Sequence, residues 1–162
     1  MKRLLPLLAM AALAAAPAYA QNAGQIGKAR AGASCPGCNL FQAEFSNTEM
    51  QGRNFSRARL RQANLSLSTM NGANFSGADL RDVDAYGGVF SSASFAGADL
   101  THASFVGTYL DGANFSGARL NGTNFSGAQL GRARGLSQGQ LNAACGDGAT
   151  VLPAGLRIPA CR

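Results

Sequence analysis

A period of five residues runs through most of this sequence and limits the folds that it can adopt. From Leu40 to Leu130 every fifth residue is Leu, Phe or Met, and Ala85 is the single exception. We call these positions the centres, and the residue two before a centre is usually small. Neither a helix, with a period of about 3.6, nor a continuous strand, with a period of about 2, would bury positions five apart on one side. The pattern therefore predicts short extended segments joined by corners.

The centres also repeat every twenty residues, which sets the number of sides in one coil. Four segments of five complete a coil if stacked coils carry like residues at the same side. The small Ala85 coincides with an enlarged Val83 two residues earlier, which indicates compensation of volume in a close-packed core. Glycine is frequent two residues after a centre, where a corner needs backbone freedom. The four columns are Leu40, Leu60, Leu80, Leu100, Leu120; Phe45, Leu65, Ala85, Phe105, Phe125; Met50, Met70, Phe90, Leu110, Leu130; and Phe55, Phe75, Phe95, Phe115.

Several units resemble the motif of the pentapeptide-repeat family, Ala-(Asp/Asn)-Leu-x-x or its Phe variant. The segments are ANFSG at 73–77 and 113–117, ADLRD at 78–82 and ADLTH at 98–102. The resemblance extends over 38–134 and implies an all-β fold, a right-handed quadrilateral parallel β-helix. The four columns support four sides independently, whereas the hand follows from the resemblance alone. Some members of the family imitate DNA with a strongly acidic surface and bind topoisomerases, and this basic chain departs from that pattern.

The first twenty residues have the pattern of a secretory signal peptide. Lys2 and Arg3 precede an apolar run over 4–16, and the small-residue site Ala-Tyr-Ala ends at Ala20. The run is too short to span a bilayer, so we expect cleavage after Ala20 and a periplasmic or secreted chain with no membrane insertion. Residues 21–34 are predicted to be a flexible leader, since they lack an apolar period.

The repeats are expected to occupy 35–134, and residues 135–162 are expected to form a cap over the open end. Ser137 and Gln140 have the spacing of a capping box at a helix start. Leu136 and Leu141 have the spacing of a hydrophobic staple, and Gly146 is predicted to end this short helix. A disulfide between Cys145 and Cys161 would close the extended tail.

The segment CPGC places Cys35 in phase with the centres and Cys38 at the small inward position. We expect a structural disulfide or thiol pair at the first corner. A redox role in the manner of thioredoxin is the alternative, although no βαβ pattern surrounds the motif. Metal binding by this pair is a further alternative, but the geometry disfavours one zinc site shared with Cys145 and Cys161, because the pairs lie at opposite ends of the rod.

Outward positions are mostly polar, so apolar residues there are informative. The coil places such residues along one edge, where they predict an exposed apolar and aromatic stripe. Stripes of this kind often mark interfaces. The alternatives are that leader or loop residues cover these side chains, or that they have no role. The residues concerned are Leu67, Tyr86, Val89, Val106 and Tyr109.

Arginines crowd the first coils. Arg57, Arg59 and Arg61 form a possible site for an anionic envelope polymer, or else a solvated edge that discourages end-to-end stacking. Arg53 stands at an inward position, where an unpaired charge is costly, so its side chain should reach out of the N-terminal end or the register should slip.

No residue pattern indicates catalysis. His102 falls near Asp82 in the coil, but a convex side offers no pocket that would exclude water, and no nucleophile has a base beside it. We expect no catalytic residue, cofactor or metal. We also expect no binding of nucleic acid, because the whole chain's net charge of +6 is only a modest basic excess. The sequence favours an exported, non-enzymatic scaffold that presents one side to an envelope protein or to itself. Binding of an anionic envelope polymer is the second hypothesis, and a redox role for CPGC is the third.

Overall fold

The computed structural model describes residues 21–162, and the proposed signal peptide lies outside this range. The described chain has two helices, α1 (Ala23–Arg30) and α2 (Gln138–Asn142). Its extended segments are single bridge residues, which recur every fifth position from Asn39 to Arg134 and are followed by Cys145, Gly146, Val151 and Ala160. None of the helices in this part of the chain is long and apolar enough to cross a membrane.

The backbone closes a square coil after twenty residues, as the sequence predicts. Parallel bridges join positions twenty apart, from Asn39 with Arg59 to Asn114 with Arg134. Each centre from Leu40 to Phe115 donates its N–H to the next coil; the N–H of Leu80, for example, donates to the carbonyl of Asp99 at 2.8 Å. The chain is therefore a four-sided β-helix with one ladder on each side.

The centres fill the interior of the coil. Every centre from 40 to 130 is buried, and so is Cys35. The Phe column stacks face to face, with ring centroids 5.5 Å apart for Phe55 and Phe75, 5.4 Å for Phe75 and Phe95, and 5.2 Å for Phe95 and Phe115. These separations approach the spacing of about 4.8 Å between neighbouring strands, so one ring per coil fits the column. We number the four faces by their first centres: face 1 (Leu40), face 2 (Phe45), face 3 (Met50) and face 4 (Phe55).

The corners explain why the motif carries Asn or Asp before the centre. At most corners the residue three after a centre donates its N–H to the centre's carbonyl, as from Ala78 to Phe75 at 3.0 Å. Of the two residues between them the second is left-handed, for example Gly77 with φ of +65°, as in a type II turn. The N–H of the first turn residue also needs an acceptor. Ser76 donates this N–H to Oδ1 of Asn74, the residue before the centre, at 2.9 Å.

Ala85 and the enlarged Val83 are both buried. Val83 is not the only residue that makes up for the small volume of Ala85. The ring of Phe90 takes the space beside Gly88, where its Cε2 lies 2.5 Å from the point a β-carbon would occupy. Thr108 is also buried and donates its hydroxyl to the carbonyl of Ala85 at 3.0 Å. The column is therefore filled from neighbouring sides.

The predicted flexible leader at 21–34 is wrong, because α1 forms there and packs against the first coil. Its N-cap Asn22 accepts from the N–H of Gln25 at 3.0 Å, and Ala29 is buried. Gln25 Oε1 accepts from the N–H of Asn39 at 2.6 Å, and Arg30 donates to the carbonyl of Glu44 at 2.6 Å. The first coil has no coil before it to satisfy these backbone groups, so polar side chains of α1 do so.

Arg53 resolves its inward position by reaching out of the end of the rod. Its side chain is exposed, and its guanidinium lies beside Gly32. The register does not slip, since the N–H of Asn74 still donates to the carbonyl of Arg53 at 2.8 Å.

At the C-terminal end, α2 begins with the Ser137–Gln140 capping box and buries Leu141. The helix ends at Asn142, so the predicted stop at Gly146 is wrong. At the C-cap, the carbonyl of Ala143 accepts from the N–H of Gly122 at 2.7 Å, and through this bond the chain rejoins the wall of the coil directly after the helix. Gly146 instead bridges to Ala160 in the tail.

Both disulfides occur in the structure, Cys35–Cys38 at the first corner and Cys145–Cys161 in the tail. Cys145 and Val151 extend the ladder by bridging to Asn124 and Gln129. The wall thus continues beyond the last full coil into the segment that follows α2.

Candidate interaction surface

The strongly exposed large hydrophobic side chains of residues 21–162 all lie along one edge of the rod. They are Leu67 at 54% exposure, Tyr86 and Tyr109 at 55%, and Val151 at 45%. Val89 and Val106 lie among them and are half-buried. We call this group the apolar edge; it consists of Leu67, Tyr86, Val89, Val106, Tyr109 and Val151.

The coil geometry brings these residues together where face 2 meets face 3. Tyr86 and Val106 follow the centres of face 2 on successive coils. Val89 and Tyr109 precede the centres of face 3 and bridge to each other across one coil step. Residues twenty-three apart in sequence, such as Tyr86 and Tyr109, thereby project from the same edge. Leu67, Tyr86 and Tyr109 are exposed on this edge, whereas Val89 and Val106 are half-buried, and the role of the five residues as an interface stays a prediction.

Leu67 occupies a backbone conformation that a leucine rarely adopts. It stands at the left-handed position of its corner, with φ of +56°, which costs a non-glycine residue about 1 kcal/mol or more. Its side chain lies over Gly87 on the next coil, with Cδ2 2.9 Å from the point a β-carbon of residue 87 would take. A large apolar side chain is thus kept on the surface where glycine would fit the backbone better.

Val151 was missed by the sequence analysis. It bridges to Gln129, twenty-two residues earlier, because α2 inserts residues between the last coil and the tail. The twenty-residue register therefore fails to place it. The only signal in the sequence is the alternating apolar pattern of the tail.

A groove of about 540 Å³ opens beside Tyr109. Val151 and Gln129 lie on the same side as Tyr109, and Asp111 and Arg132 lie across from them. Arg132 Nη2 and Asp111 Oδ2 are 3.0 Å apart. The groove extends the apolar edge toward the corner between faces 3 and 4.

The arginines of the first coils lie away from the apolar edge. Arg61 pairs with Asp82, with Nε and Oδ2 3.2 Å apart, and Arg59 is half-buried on face 1. Arg57 is exposed at the corner diagonally opposite the apolar edge, and its stem lies against Gly77, with Cγ 3.4 Å from the β-carbon position. The three side chains therefore share a region, in which Arg61 is already paired with Asp82.

The acidic residues near His102 are engaged in corners and ion pairs. Arg81 Nη2 and Asp79 Oδ2 are 2.7 Å apart, and the hydrogen bond from Arg81 holds the pKa of Asp79 below its usual range. Asp84 accepts from the N–H of Tyr86 at 3.0 Å. The ring of His102 lies over Gly122. In the described part of the chain no group of three or more His, Cys, Asp and Glu residues is arranged to hold a metal ion.

Comparison with known proteins identifies the repeats. A family model described as pentapeptide repeats matches residues 54–84 and 89–127 in eight copies. The crystal structure of Rfr23, a pentapeptide repeat protein from the cyanobacterium Cyanothece 51142, is 21% identical with a TM-score of 0.53, and the match covers 80% of this chain and 97% of that one.

Two further solved structures resemble this chain less closely in three dimensions. A pentapeptide repeat protein from the thylakoid lumen of Arabidopsis thaliana is 25% identical with a TM-score of 0.31, over 67% of this chain and 61% of its own. HetL from the cyanobacterium Nostoc sp. strain PCC 7120 is 25% identical with a TM-score of 0.24, over 80% and 61%. No curated protein matches the chain significantly.

Proposed function

Because the chain belongs to the pentapeptide-repeat proteins and folds as their right-handed quadrilateral β-helix, we propose that it is a non-enzymatic scaffold presenting the apolar edge to a protein partner. The observation that carries this proposal is the convergence of Leu67, Tyr86, Tyr109 and Val151 on one edge. The same fold supports unrelated roles in different proteins, so the function is argued from this surface.

The rigidity of the wall supports the proposal. Each residue of the edge has a backbone hydrogen bond to a neighbouring coil; for example, the N–H of Leu67 donates to the carbonyl of Tyr86 at 2.8 Å. A wall held in this way loses little further backbone freedom on binding, and tyrosines are common anchors of interfaces. The leader does not cover the edge, because α1 contacts the first coil at Asn39 and Glu44.

We place the partner in the cell envelope or outside the cell, and a second copy of this chain is one form it can take. The signal-peptide pattern of residues 1–20 supports export. Two disulfides among the described residues suit an oxidising compartment.

We also propose that α2 and the disulfide-closed tail act as the C-terminal cap. An open solenoid end exposes core and unpaired backbone groups. Leu141 is buried, and Gln140 donates to the carbonyls of Phe115 and Ala118, both at 2.9 Å. The Cys145–Cys161 bond holds the tail against this end.

Site-specific crosslinking in the native envelope tests the scaffold proposal. A photoreactive residue at position 86 or 109 should capture a distinct protein or a second copy. The matched control places it at Ser116, which is exposed at the diagonally opposite corner. Equal capture from position 116, or none from 86 and 109, would contradict the proposal. Tyr86→Asp should abolish capture from position 109 without loss of the folded rod.

A second candidate function, binding of an anionic envelope polymer, rests on Arg53 and Arg57. Both are exposed, and within residues 21–162 neither forms an ion pair. Binding through Arg57, Arg59 and Arg61 should weaken steeply with salt and be lost when they are neutralised. Capture through the apolar edge should instead tolerate salt. The third hypothesis, redox chemistry at CPGC, requires attack on sulfur, and Cys35 is only 5% exposed.

A further inference from the structure

The groove beside Tyr109 has a composition that the apolar edge does not explain. Its volume of about 540 Å³ falls in the range of roughly 300–1,000 Å³ typical of small-molecule sites. One wall carries Tyr109, Gln129 and Val151, and the other carries Ser91, Asp111 and Arg132. The groove is thus lined by one exposed aromatic ring and by several hydrogen-bonding side chains.

The ladder of face 3 sets the spacing of the first wall. Tyr109 bridges to Gln129, and Gln129 bridges to Val151, so their outward side chains project from successive coils. Gly131 forms the floor between the walls: a β-carbon there would meet Val151 Cγ1 at 3.3 Å and lie 3.9 Å from Asp111 Oδ1. The absence of a side chain at this corner keeps the groove open.

The charges of the second wall cancel. Arg132 donates from Nε and Nη2 to Asp111 Oδ2 at 3.2 and 3.0 Å, and its backbone N–H reaches Oδ1 at 3.4 Å. The pair carries no net charge, so neither an anion nor a cation is favoured. The guanidinium keeps N–H groups for other acceptors, because it has five.

Gln129 supplies a fixed amide to the same groove. Its Nε2 donates to the carbonyl of Gly127 at 3.3 Å, which leaves Oε1 as an acceptor. Ser91 also lines the groove, and its hydroxyl can both donate and accept. Hydrogen-bond donors and acceptors therefore line the same groove as the exposed ring of Tyr109.

We propose that this groove binds a neutral carbohydrate. A sugar ring has an apolar C–H face, which can stack on Tyr109, and neighbouring hydroxyls, which match the Asp111–Arg132 pair and the Gln129 amide. A protein partner would favour a drier, more apolar pocket for its anchor residues. The site goes beyond the scaffold function, because its polar groups lie off the apolar edge and Tyr86 does not take part.

The experiment titrates the full chain with chitotriose and, separately, cellotriose, and follows the tyrosine ring signals by NMR. The chain has three tyrosines, so Tyr86→Phe and Tyr109→Phe assign the two on the rod. Saturable shifts are expected at Tyr109 and not at Tyr86. Gln129→Ala and Arg132→Ala should each weaken binding about fivefold to tenfold, the effect of one lost hydrogen bond. Tyr86→Ala, which removes an equally exposed ring outside the groove, should leave the affinity unchanged.

Three results would overturn the carbohydrate site: no saturable shift with either sugar, equal shifts at both tyrosines, or unchanged affinity in both Gln129→Ala and Arg132→Ala. Thermal unfolding of each variant verifies that the rod is intact. The result is separable from the scaffold proposal. Tyr86→Asp should abolish protein capture and leave sugar binding, whereas Gln129→Ala should weaken sugar binding and leave capture.

Discussion

The side chain of Leu67 occupies the space that Gly87 leaves empty on the next coil, with Cδ2 2.9 Å from the β-carbon position. Both residues are left-handed, with φ of +56° and +61°. The leucine can lie flat on the edge only because its neighbour has no side chain. The apolar edge is therefore built from a pair, one strained residue and one glycine that makes room for it.

Gly87→Ala should destabilise the rod more than Gly97→Ala. Both glycines have positive φ, at +61° and +66°, but nothing lies within 4 Å of a β-carbon at residue 97. The backbone conformation alone costs alanine about 1 kcal/mol, and displacing Leu67 should add about 1 kcal/mol in the first variant. Denaturant unfolding measures the difference. Equal losses would show that Leu67 moves aside freely.

Asp84→Ala should lower the free energy of unfolding by about 0.5–1.5 kcal/mol, because the N–H of Tyr86 loses its acceptor. Asp84→Asn should restore most of the loss, since the amide oxygen can take the same bond without the charge. Unfolding by urea compares the variants. Failure of asparagine to rescue would assign the effect to charge and not to the turn.

Leu100→Asp should prevent cooperative folding. Leu100 is fully buried in the Leu column of face 1, and an unpaired carboxylate there costs more than about 4 kcal/mol. Asn121→Asp is the control, since residue 121 is exposed on the same rod. Circular dichroism and urea unfolding give the readout. A folded Leu100→Asp variant would contradict the assignment of the column.

Removal of Cys145–Cys161 should cost more than removal of Cys35–Cys38. The sequence separations are 16 and 3, and in the chain-entropy account loops of these sizes contribute about 3 and about 2 kcal/mol. Paired Cys→Ala variants measured by urea unfolding test the order. The reverse order would show that the first-corner bond holds α1 as well as its own turn.

The stability of the rod should fall at acid pH in part through Asp79. Its pKa is lowered from the ordinary value of 3.8, first by the hydrogen bond from Arg81, against a smaller effect of burial that raises it. A lowered pKa means that the contribution is present above about 3.8 and is lost as pH falls through the lower, folded-state pKa. In Arg81→Gln and in Asp79→Asn, the free energy of unfolding should fall less steeply than in the unchanged chain as the pH is lowered. The same pH dependence in both variants as in the unchanged chain would contradict a contribution from the Asp79–Arg81 pair.

The repeating part of the fold follows from the sequence because one requirement recurs at every coil. A buried column such as Leu40 to Leu120 needs the same shape at each level, so the period of twenty appears directly in the residue types. The exposed edge follows from the same register, as for Tyr86 and Tyr109. The hydrogen bonds at the corners are predicted less completely from the sequence. The reason for an Asn at position 74 becomes clear only from the bond that its side chain accepts from Ser76.

The ends of the rod do not follow from the period, because they obey different rules. The helix α1 contacts the core through Ala29 and the half-buried Ile26. Its other contacts are hydrogen bonds with backbone groups, in which Gln25 accepts from Asn39 and Arg30 donates to Glu44, and these leave no extended apolar pattern in the sequence. Val151 joins the edge only after α2 has shifted the register. Satisfaction of backbone groups at an open end thus determines elements that hydrophobic periodicity cannot predict.

The twenty-residue closure also restricts how such a chain can change its length. An insertion or deletion of five residues between Tyr86 and Tyr109 would keep every centre inside, yet it would turn all later coils by a quarter revolution. The two tyrosines would then look out from different sides. A protein of this kind can therefore gain or lose residues without changing its surface only in steps of a whole revolution. The buried core would tolerate any multiple of five residues, so it is the alignment of surface residues that imposes the stricter requirement.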